Sequence, residues 1–323
     1  MKRFVAVFGL CAALLQPALA AEASPDPLLW LGKVASASQR LNYVGTFIYQ
    51  SGRDFETSRI AHKVDASGEY ERLEVLDGSP REVTRANGEV RCVLPRQKTV
   101  IIDQPGGRRA FPARLPTSLP ALAESYQIRM GDVGRVAGLE AQAIVLEPRD
   151  DLRYGHVFWA DTQSGLLLKS KTVDERGEVI EQFMFSDIKV GGSVDRELLR
   201  SRYDQVQDWR VVNLRGSEMP KAESGWTVRA PLPGFSLVSV MRRPLGREGG
   251  EAVHMLFSDG LASISVFVEP MGSDGAQGGL GAQASGAINI YKRTLNGHLV
   301  TALGEVPQRA VQRLGDAVEA VAR

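Results

Sequence analysis

The chain reads as an α+β protein that is mostly antiparallel β, with a large N-terminal sheet domain and a smaller C-terminal α+β domain. Three observations carry this. Tyr43 to Ile102 is a run of short β-branched or aromatic segments separated by turn signals. A second run of the same kind follows between Tyr126 and Ile188. A third set of strands starts at Trp226, beyond a stretch punctuated by Gly and Pro, and ends in an amphipathic helix. Short strands at this spacing argue an antiparallel meander. A long meander must curl to bury one face, which gives a barrel, a half-barrel or a sandwich.

The first twenty residues stand outside the fold. Lys2 and Arg3 precede the apolar run Phe4–Leu15, and Ala18-Leu19-Ala20 fits a small-x-small cleavage site. This is the pattern of a secretory signal peptide spanning 1–20. The run is shorter than the roughly 20 apolar residues a spanning helix needs. Phe8-Gly9-Leu10 ahead of Cys11 does not suit a lipid anchor. Loss of the leader leaves Cys92 as the single cysteine, so no intramolecular disulfide forms even in an oxidising compartment. Cys92 alternates with Val90 and Leu94 and reads as a small buried hydrophobe. Removing Lys2 and Arg3 from 39 basic residues, against 38 acidic ones, brings the net charge to about −1. That balance gives no footprint for nucleic acid.

Asp26-Pro27 opens the first helix, because Asp can cap and Pro suits the first helical position. Leu28, Leu31, Val34, Ala35 and Leu41 share one face of it. Six strands follow: Tyr43–Gln50, Phe55–Val64, Glu69–Leu76, Glu82–Ala86, Val90–Leu94 and Lys98–Ile102. Asn87-Gly88 is the best hairpin signal, since a type I′ turn needs positive φ at both central residues. A Pro- and Gly-rich crossing with a short helix near Leu119–Ser125 leads to further strands. These are Tyr126–Met130, Arg135–Ala137, Glu140–Glu147, Tyr154–Ala160, Leu166–Val173 and Glu178–Ile188. A helix is expected over Arg196–Trp209 and a linker over 213–225, so that the domains run 21–212 and 226–323.

In the second domain strands are expected at Trp226–Arg229, Phe235–Arg243, Ala252–Ser258, Ala262–Glu269, Ile288–Thr294 and His298–Glu305. Met271–Ala287, rich in Gly, Ala and Ser, reads as a loop. A terminal helix from Pro307 carries Val311, Leu314, Val318 and Val321 on one face.

Motifs for catalysis are missing. His62, His156, His254 and His298 lie far apart, with none of the zinc spacings. There is no G-x-S-x-G elbow and no P-loop. Gly279 to Ala284 fits a dinucleotide fingerprint only superficially, because no strand precedes it. The expectation is a protein with no metal and no cofactor that is not an enzyme. What remains is aromatic and basic surface. Tyr43, Phe47, Tyr49, Trp159, Phe183 and Phe185 sit on strands of the first domain. They either pack a core or line an apolar cavity for lipid on the concave side of the curled sheet. Arg242, Arg243 and Arg247 form a basic stretch in the second domain, suited to the rim of a partner site, and Arg108 and Arg109 form another in the first.

Several segments resemble the MucB/RseB family. In the first domain they are Leu41-Asn42-Tyr43-Val44-Gly45-Thr46-Phe47-Ile48-Tyr49, Gly155-His156-Val157-Phe158-Trp159-Ala160-Asp161 and Ser164-Gly165-Leu166-Leu167-Leu168-Lys169. In the second they are Ser258 to Phe267, Gly297-His298 and Thr301 to Pro307. The resemblance implies a LolA/LolB-like half-barrel in the first domain and a soluble periplasmic protein. It also implies a partner, the periplasmic region of an anti-sigma factor of the MucA/RseA type, bound and shielded from regulated proteolysis. Release by a lipid, lipopolysaccharide or lipoprotein signal would complete an envelope-stress circuit, which in pseudomonads controls alginate production. Self-association stays open. A lipid or lipoprotein carrier is the rival reading. The second domain argues against it, because a bare carrier fold would stop near Val190.

Overall fold

The computed structural model describes residues 26–104, 119–245, 250–271 and 279–321. The expected leader, Arg108, Arg109 and Arg247 lie outside them.

Helix α1 spans Pro27–Arg40, and the Asp26 carboxylate accepts the Leu28 N–H at 2.9 Å. Leu31 and Val34 are fully buried, with Leu28, Ala35 and Leu41 packed around the same core. The meander then runs β1 Tyr43–Ser51, β2 Asp54–Asp65, β3 Gly68–Val75, β4 Glu82–Ala86, β5 Glu89–Leu94 and β6 Thr99–Asp103. Asn87 and Gly88 carry the positive φ values, 46° and 90°, that the β4–β5 turn requires. Cys92 in β5 is half-buried rather than buried, and burial pushes its thiol pKa up.

Helix α2 (Leu119–Ser125) precedes β7 Tyr126–Val136, β8 Leu139–Pro148, β9 Gly155–Asp161, β10 Leu167–Val173 and β11 Val179–Val190. The two strands expected at Tyr126–Met130 and Arg135–Ala137 are one strand, with a bulge between Met130 and Val133. Here Gly131 and Gly134 read as a break, but a bulge absorbs them without ending the ladder. Strand β11 returns to pair with β1, so with β12 (Arg210–Asn213) one twelve-stranded sheet runs β12-β6-β5-β4-β3-β2-β1-β11-β10-β9-β8-β7. Gly45 matters at that closure, because a Cβ there would lie 2.6 Å from the Asp187 carbonyl oxygen across the ladder. Helices α1 and α2 pack together on the core side of the sheet, α1 against β7, β8 and β10 and α2 against β7.

Past β11 the expectations fail in an informative way. Helix α3 is only Arg196–Leu199, not a helix to Trp209. It lies on the outer face of β2 and β3. Buried Glu82 pins the chain that follows, accepting from Arg72 Nε at 2.8 Å and from the Arg202 N–H at 3.2 Å. Strand β12 (Arg210–Asn213) then pairs parallel to β6. The stretch 213–225 is also structured, with β13 (Ser217–Glu218) on the second sheet and a 3-10 turn at Lys221–Glu223.

The second sheet is built from β15 Ser236–Pro244, β16 Glu251–Ser258, β17 Ser263–Pro270, β18 Gly281–Ser285, β19 Ile288–Leu295 and β20 His298–Gly304. With β13 its order is β13-β15-β16-β17-β20-β19-β18. Part of the expected 271–287 loop is therefore strand β18. Helix α4, Gln308–Asp316, buries Ala310, Val311 and Leu314 against the sheet. It stops before Val318. That residue instead pairs with Val228 in a two-stranded ladder of β14 (Trp226–Val228) and β21 (Val318–Ala320). Val321 is exposed rather than on the packed helix face.

Candidate functional site

The aromatic row of the first domain is a core. Tyr43, Phe47, Phe183 and Phe185 are 1 %, 4 %, 7 % and 0 % exposed. Strand pairing aligns them: Phe47 opposes Phe185, and Tyr49 opposes Phe183. The rings meet edge to face, with Phe47 5.8 Å from Phe185 and 6.4 Å from Phe183, the arrangement aromatic quadrupoles favour. Tyr49 is half-buried at the end of the row and donates to Glu181 at 2.8 Å. Burial, and then the Glu181 carboxylate, push its hydroxyl pKa well up.

Trp159 is not part of this row. It pairs with Lys169 of β10, and Lys169 pairs with Met184 of β11. Successive strand residues point to opposite faces. With Phe158, Phe183 and Phe185 inward, alternation puts Trp159 and Met184 on the outer face, where Trp159 is half-buried and still packs against the edge of the same core. The neighbouring Phe158 carried that signal in the sequence. Two adjacent strand residues cannot line one cavity wall.

The arginines of the second domain separate in the same way. Arg242 is exposed and 3.4 Å from Glu251. Arg243 is largely covered and reaches the first domain, donating to both Asp103 carboxylate oxygens and to the Leu214 carbonyl at 3.0 Å. Its Nε also donates to His254 at 3.2 Å. Arg243 is thus a strut between the sheets.

Sequence reasoning missed the main junction. Arg153, in the β8–β9 loop, donates from Nε to Asp259 at 2.7 Å and from Nη2 to the Pro233 carbonyl at 2.5 Å. It also pairs with Asp150 and lies under the Phe235 ring at 4.7 Å. Asp259, in the β16–β17 turn, accepts the N–H groups of Leu261 and Ala262 at 2.8 and 2.6 Å, and the Tyr126 hydroxyl at 3.3 Å. Burial alone would lower the Arg153 pKa, but Asp259 and Asp150 outweigh it and the net shift is upward. Each loop also lends a leucine to the other domain. Leu261 packs in the first core and Leu152 in the second. Nearby, Arg309 of α4 pairs with Asp151 and Glu175, and Asn289 donates to the Tyr154 hydroxyl at 2.9 Å.

Two hollows flank this junction. One of about 210 Å³ in the second domain is lined by Val228, Pro231, Phe235, Leu237, Met255 and Phe257, with Lys221 and Ser236. The other, about 440 Å³, sits between α4 and the β8–β9 loop and is bordered by Asp151, Leu152, Arg309, Gln312, Arg313 and Asp316. The histidines serve packing: His62 stacks on Tyr43 at 4.8 Å and His254 on Phe267 at 4.3 Å. Among the described residues, no three His, Cys, Asp or Glu side chains cluster as metal ligands. No described helix is long and apolar enough to cross a membrane.

These features define a two-domain β protein whose curled sheet and smaller α+β domain are held by a buried ion pair and exchanged leucines. Residues 26–203 match the MucB/RseB N-terminal domain, and residues 220–319 match the MucB/RseB C-terminal domain. The chain belongs to the MucB/RseB family. It is 30% identical over 304 residues to the sigma factor AlgU regulatory protein MucB of Pseudomonas aeruginosa, covering 92% of each chain. It is 28% identical over 286 residues to the sigma-E factor regulatory protein RseB of Haemophilus influenzae, covering 88% of each. The solved structure of the Pseudomonas aeruginosa MucA/MucB complex matches 93% of this chain and 100% of its own with a TM-score of 0.71 and 27% identity. These relatives are named as regulatory proteins, not as enzymes.

Proposed function

We propose that the chain is a soluble periplasmic regulator. It binds the periplasmic segment of a membrane-spanning anti-sigma factor of the MucA/RseA type, shields that segment from regulated proteolysis, and lets go when an envelope lipid binds. One observation carries this reading. The likeness to relatives named as sigma-factor regulators, one of them solved with MucA, extends through both domains and not the curled sheet alone. A carrier would need only the sheet.

The second domain takes the partner segment in this reading, with Arg242 and Arg247 at the rim, where charges mainly alter association rate and salt dependence. The lipid acts on the aromatic row. Tyr43, Phe47, Phe183 and Phe185 are already closed on one another, so an acyl chain enters only by parting them. Each buried methylene returns about 0.8 kcal/mol, so several are needed to offset the disrupted core.

The test is a pull-down and protease-protection assay with the purified periplasmic segment of a MucA-type protein, with and without a lipid A-type lipid. The expected result is a stable complex, slower cleavage of the bound segment, and release by lipid. Failure to bind the segment in lipid-free buffer overturns the regulatory reading. Binding that lipid does not reverse removes the lipid step alone.

A further inference from the structure

The outer face of the first sheet carries an exposed patch beside Trp159, a residue that is itself partly packed against the first core. Two neighbouring rows cross β9, β10, β11, β1 and β2. One runs Trp159, Lys169, Met184, Ile48 and Thr57, and the next contains Lys171 and ends at Phe55. The Lys169 and Lys171 ammonium groups lie 4.8 and 5.7 Å from the Trp159 ring centroid. Neither pairs with a carboxylate among the described residues, and neither row contains an Asp or Glu. In the row beyond, Arg59 and Asp187 both flank Thr46 and cancel. Phe55 is 65 % exposed, with Met184 and Ile48 at 37 % and 36 %.

Such a surface carries a cost that a partner would remove. Two like charges stand on neighbouring positions of one strand, and burial followed by Lys171 pushes the Lys169 pKa down. Large apolar side chains on a strand face ordinarily turn inward. Here Met184 stands directly beside Lys169, Ile48 follows on the next strand, and Phe55 closes the Lys171 row three strands away. A Trp flanked by lysines with apolar neighbours is the composition that settles at a bilayer interface. The ring sits at headgroup depth, and the lysine stems lie along apolar surface with their charges free.

We propose that this outer face of the first domain docks the protein on an anionic bilayer surface, with Lys169 and Lys171 on lipid phosphates and Phe55, Ile48 and Met184 at the acyl boundary. The patch lies on an exposed sheet face and not in either hollow, so it fits a surface rather than an extracted lipid. An acidic peptide would match the lysines but leave the exposed Phe55 without a partner. With a mature net charge near −1, attraction to an anionic membrane has to come from a local patch of this kind. The proposal is independent of the regulatory reading and of any lipid in the core.

The experiment is co-sedimentation of the mature chain with vesicles of equal parts phosphatidylglycerol and phosphatidylcholine, or of phosphatidylcholine alone, at low and high salt. Binding is expected only to the anionic vesicles, and weaker at high salt. Combining Lys169→Gln with Lys171→Gln should lower partitioning roughly thirtyfold, as expected for two charges near an anionic surface. Phe55→Ser, at an exposed position that leaves the fold intact, should lower it without changing the salt dependence. Lys98→Gln, remote on the β5–β6 turn, should change nothing. Equal binding to both vesicles, or wild-type partitioning by the double lysine variant with an unchanged thermal melt, overturns the proposal. So does a double variant that still binds vesicles but loses an acidic peptide.

Discussion

Arg153 and Arg309 both hold the two domains together, in opposite surroundings. The Arg153 side chain is 1 % exposed and its Asp259 partner 0 %. Arg309 is 46 % exposed, with Asp151 and Glu175 each at 61 %. The distances are similar, 2.7 Å against 2.6 and 2.5 Å, so geometry does not separate them. Solvent does. In water the attraction between two charges is small and salt screens it further. In a buried site each charge has lost its hydration, and the partner is what makes that burial tolerable. The buried pair also has every polar atom engaged: Asp259 takes two backbone N–H groups and a tyrosine hydroxyl, and Arg153 takes a carbonyl and a second carboxylate. The β8–β9 and β16–β17 loops are therefore the structural joint, while the α4 contact trims its surface.

The largest effect is expected at the joint. Arg153→Ala leaves Asp259 buried without its cation and should cost about 3–5 kcal/mol of stability. Chemical denaturation should then show the two domains melting in separate steps instead of together. Arg153→Met combined with Asp259→Asn separates the attraction from the penalty of an unpaired charge. The amide oxygen still accepts the Leu261 and Ala262 N–H groups while both charges are gone, so the double variant should recover much of the loss. A double variant as unstable as Arg153→Ala would mean that the attraction itself, rather than the penalty of an unpaired charge, holds the joint.

Arg243 lies between the two extremes. Its side chain is 14 % exposed and its partner Asp103 is 31 % exposed. Arg243→Ala should cost roughly 1–2 kcal/mol, below the usual figure for charge-assisted hydrogen bonds because Asp103 keeps part of its hydration. A thermal melt against wild type decides it. No change would place Arg243 with the surface pairs, and a loss as large as that of Arg153→Ala would place it in the joint.

How much of this was legible in the sequence follows physical range. Local signals held. Asp26-Pro27 starts a helix where the side chain caps it, and Asn87-Gly88 turns where both residues need positive φ. Non-local pairing did not show. Val211 and Val212 are β-branched, but nothing nearby reveals that they pair with β6 some 110 residues earlier in register with Val100 and Ile101. Strand β18 hides in small residues because its ladder with β19 asks for backbone groups, not side chains. The helical stripe through Val318 failed because β14 offers that segment a ladder instead. For the candidate site, the aromatic residue types were readable but their faces required the alternation of Phe158 and Trp159 to be applied. The Arg153–Asp259 pair had no signal at all. Both residues sit in turn sequences, 106 positions apart, where charges ordinarily face water.

The smallest effect is expected at Arg309, and it is the one most easily turned against the comparison. One guanidinium serves two carboxylates from different loops of the first domain, Asp151 and Glu175. Arg309→Ala removes two attractions and leaves the two acids near each other without a cation between them. All three side chains keep about half their hydration, so each attraction is weak, and the residual repulsion is screened beyond roughly 8–10 Å at ordinary ionic strength. The variant should therefore melt close to wild type at low salt, and the small difference should shrink as salt is raised. Pairing the change with Asp151→Ala in a double-mutant cycle isolates the single contact. A coupling as large as that of the Arg153–Asp259 pair and untouched by salt would show that solvent is excluded from this corner, and the distinction between a buried joint and a surface trim would fail.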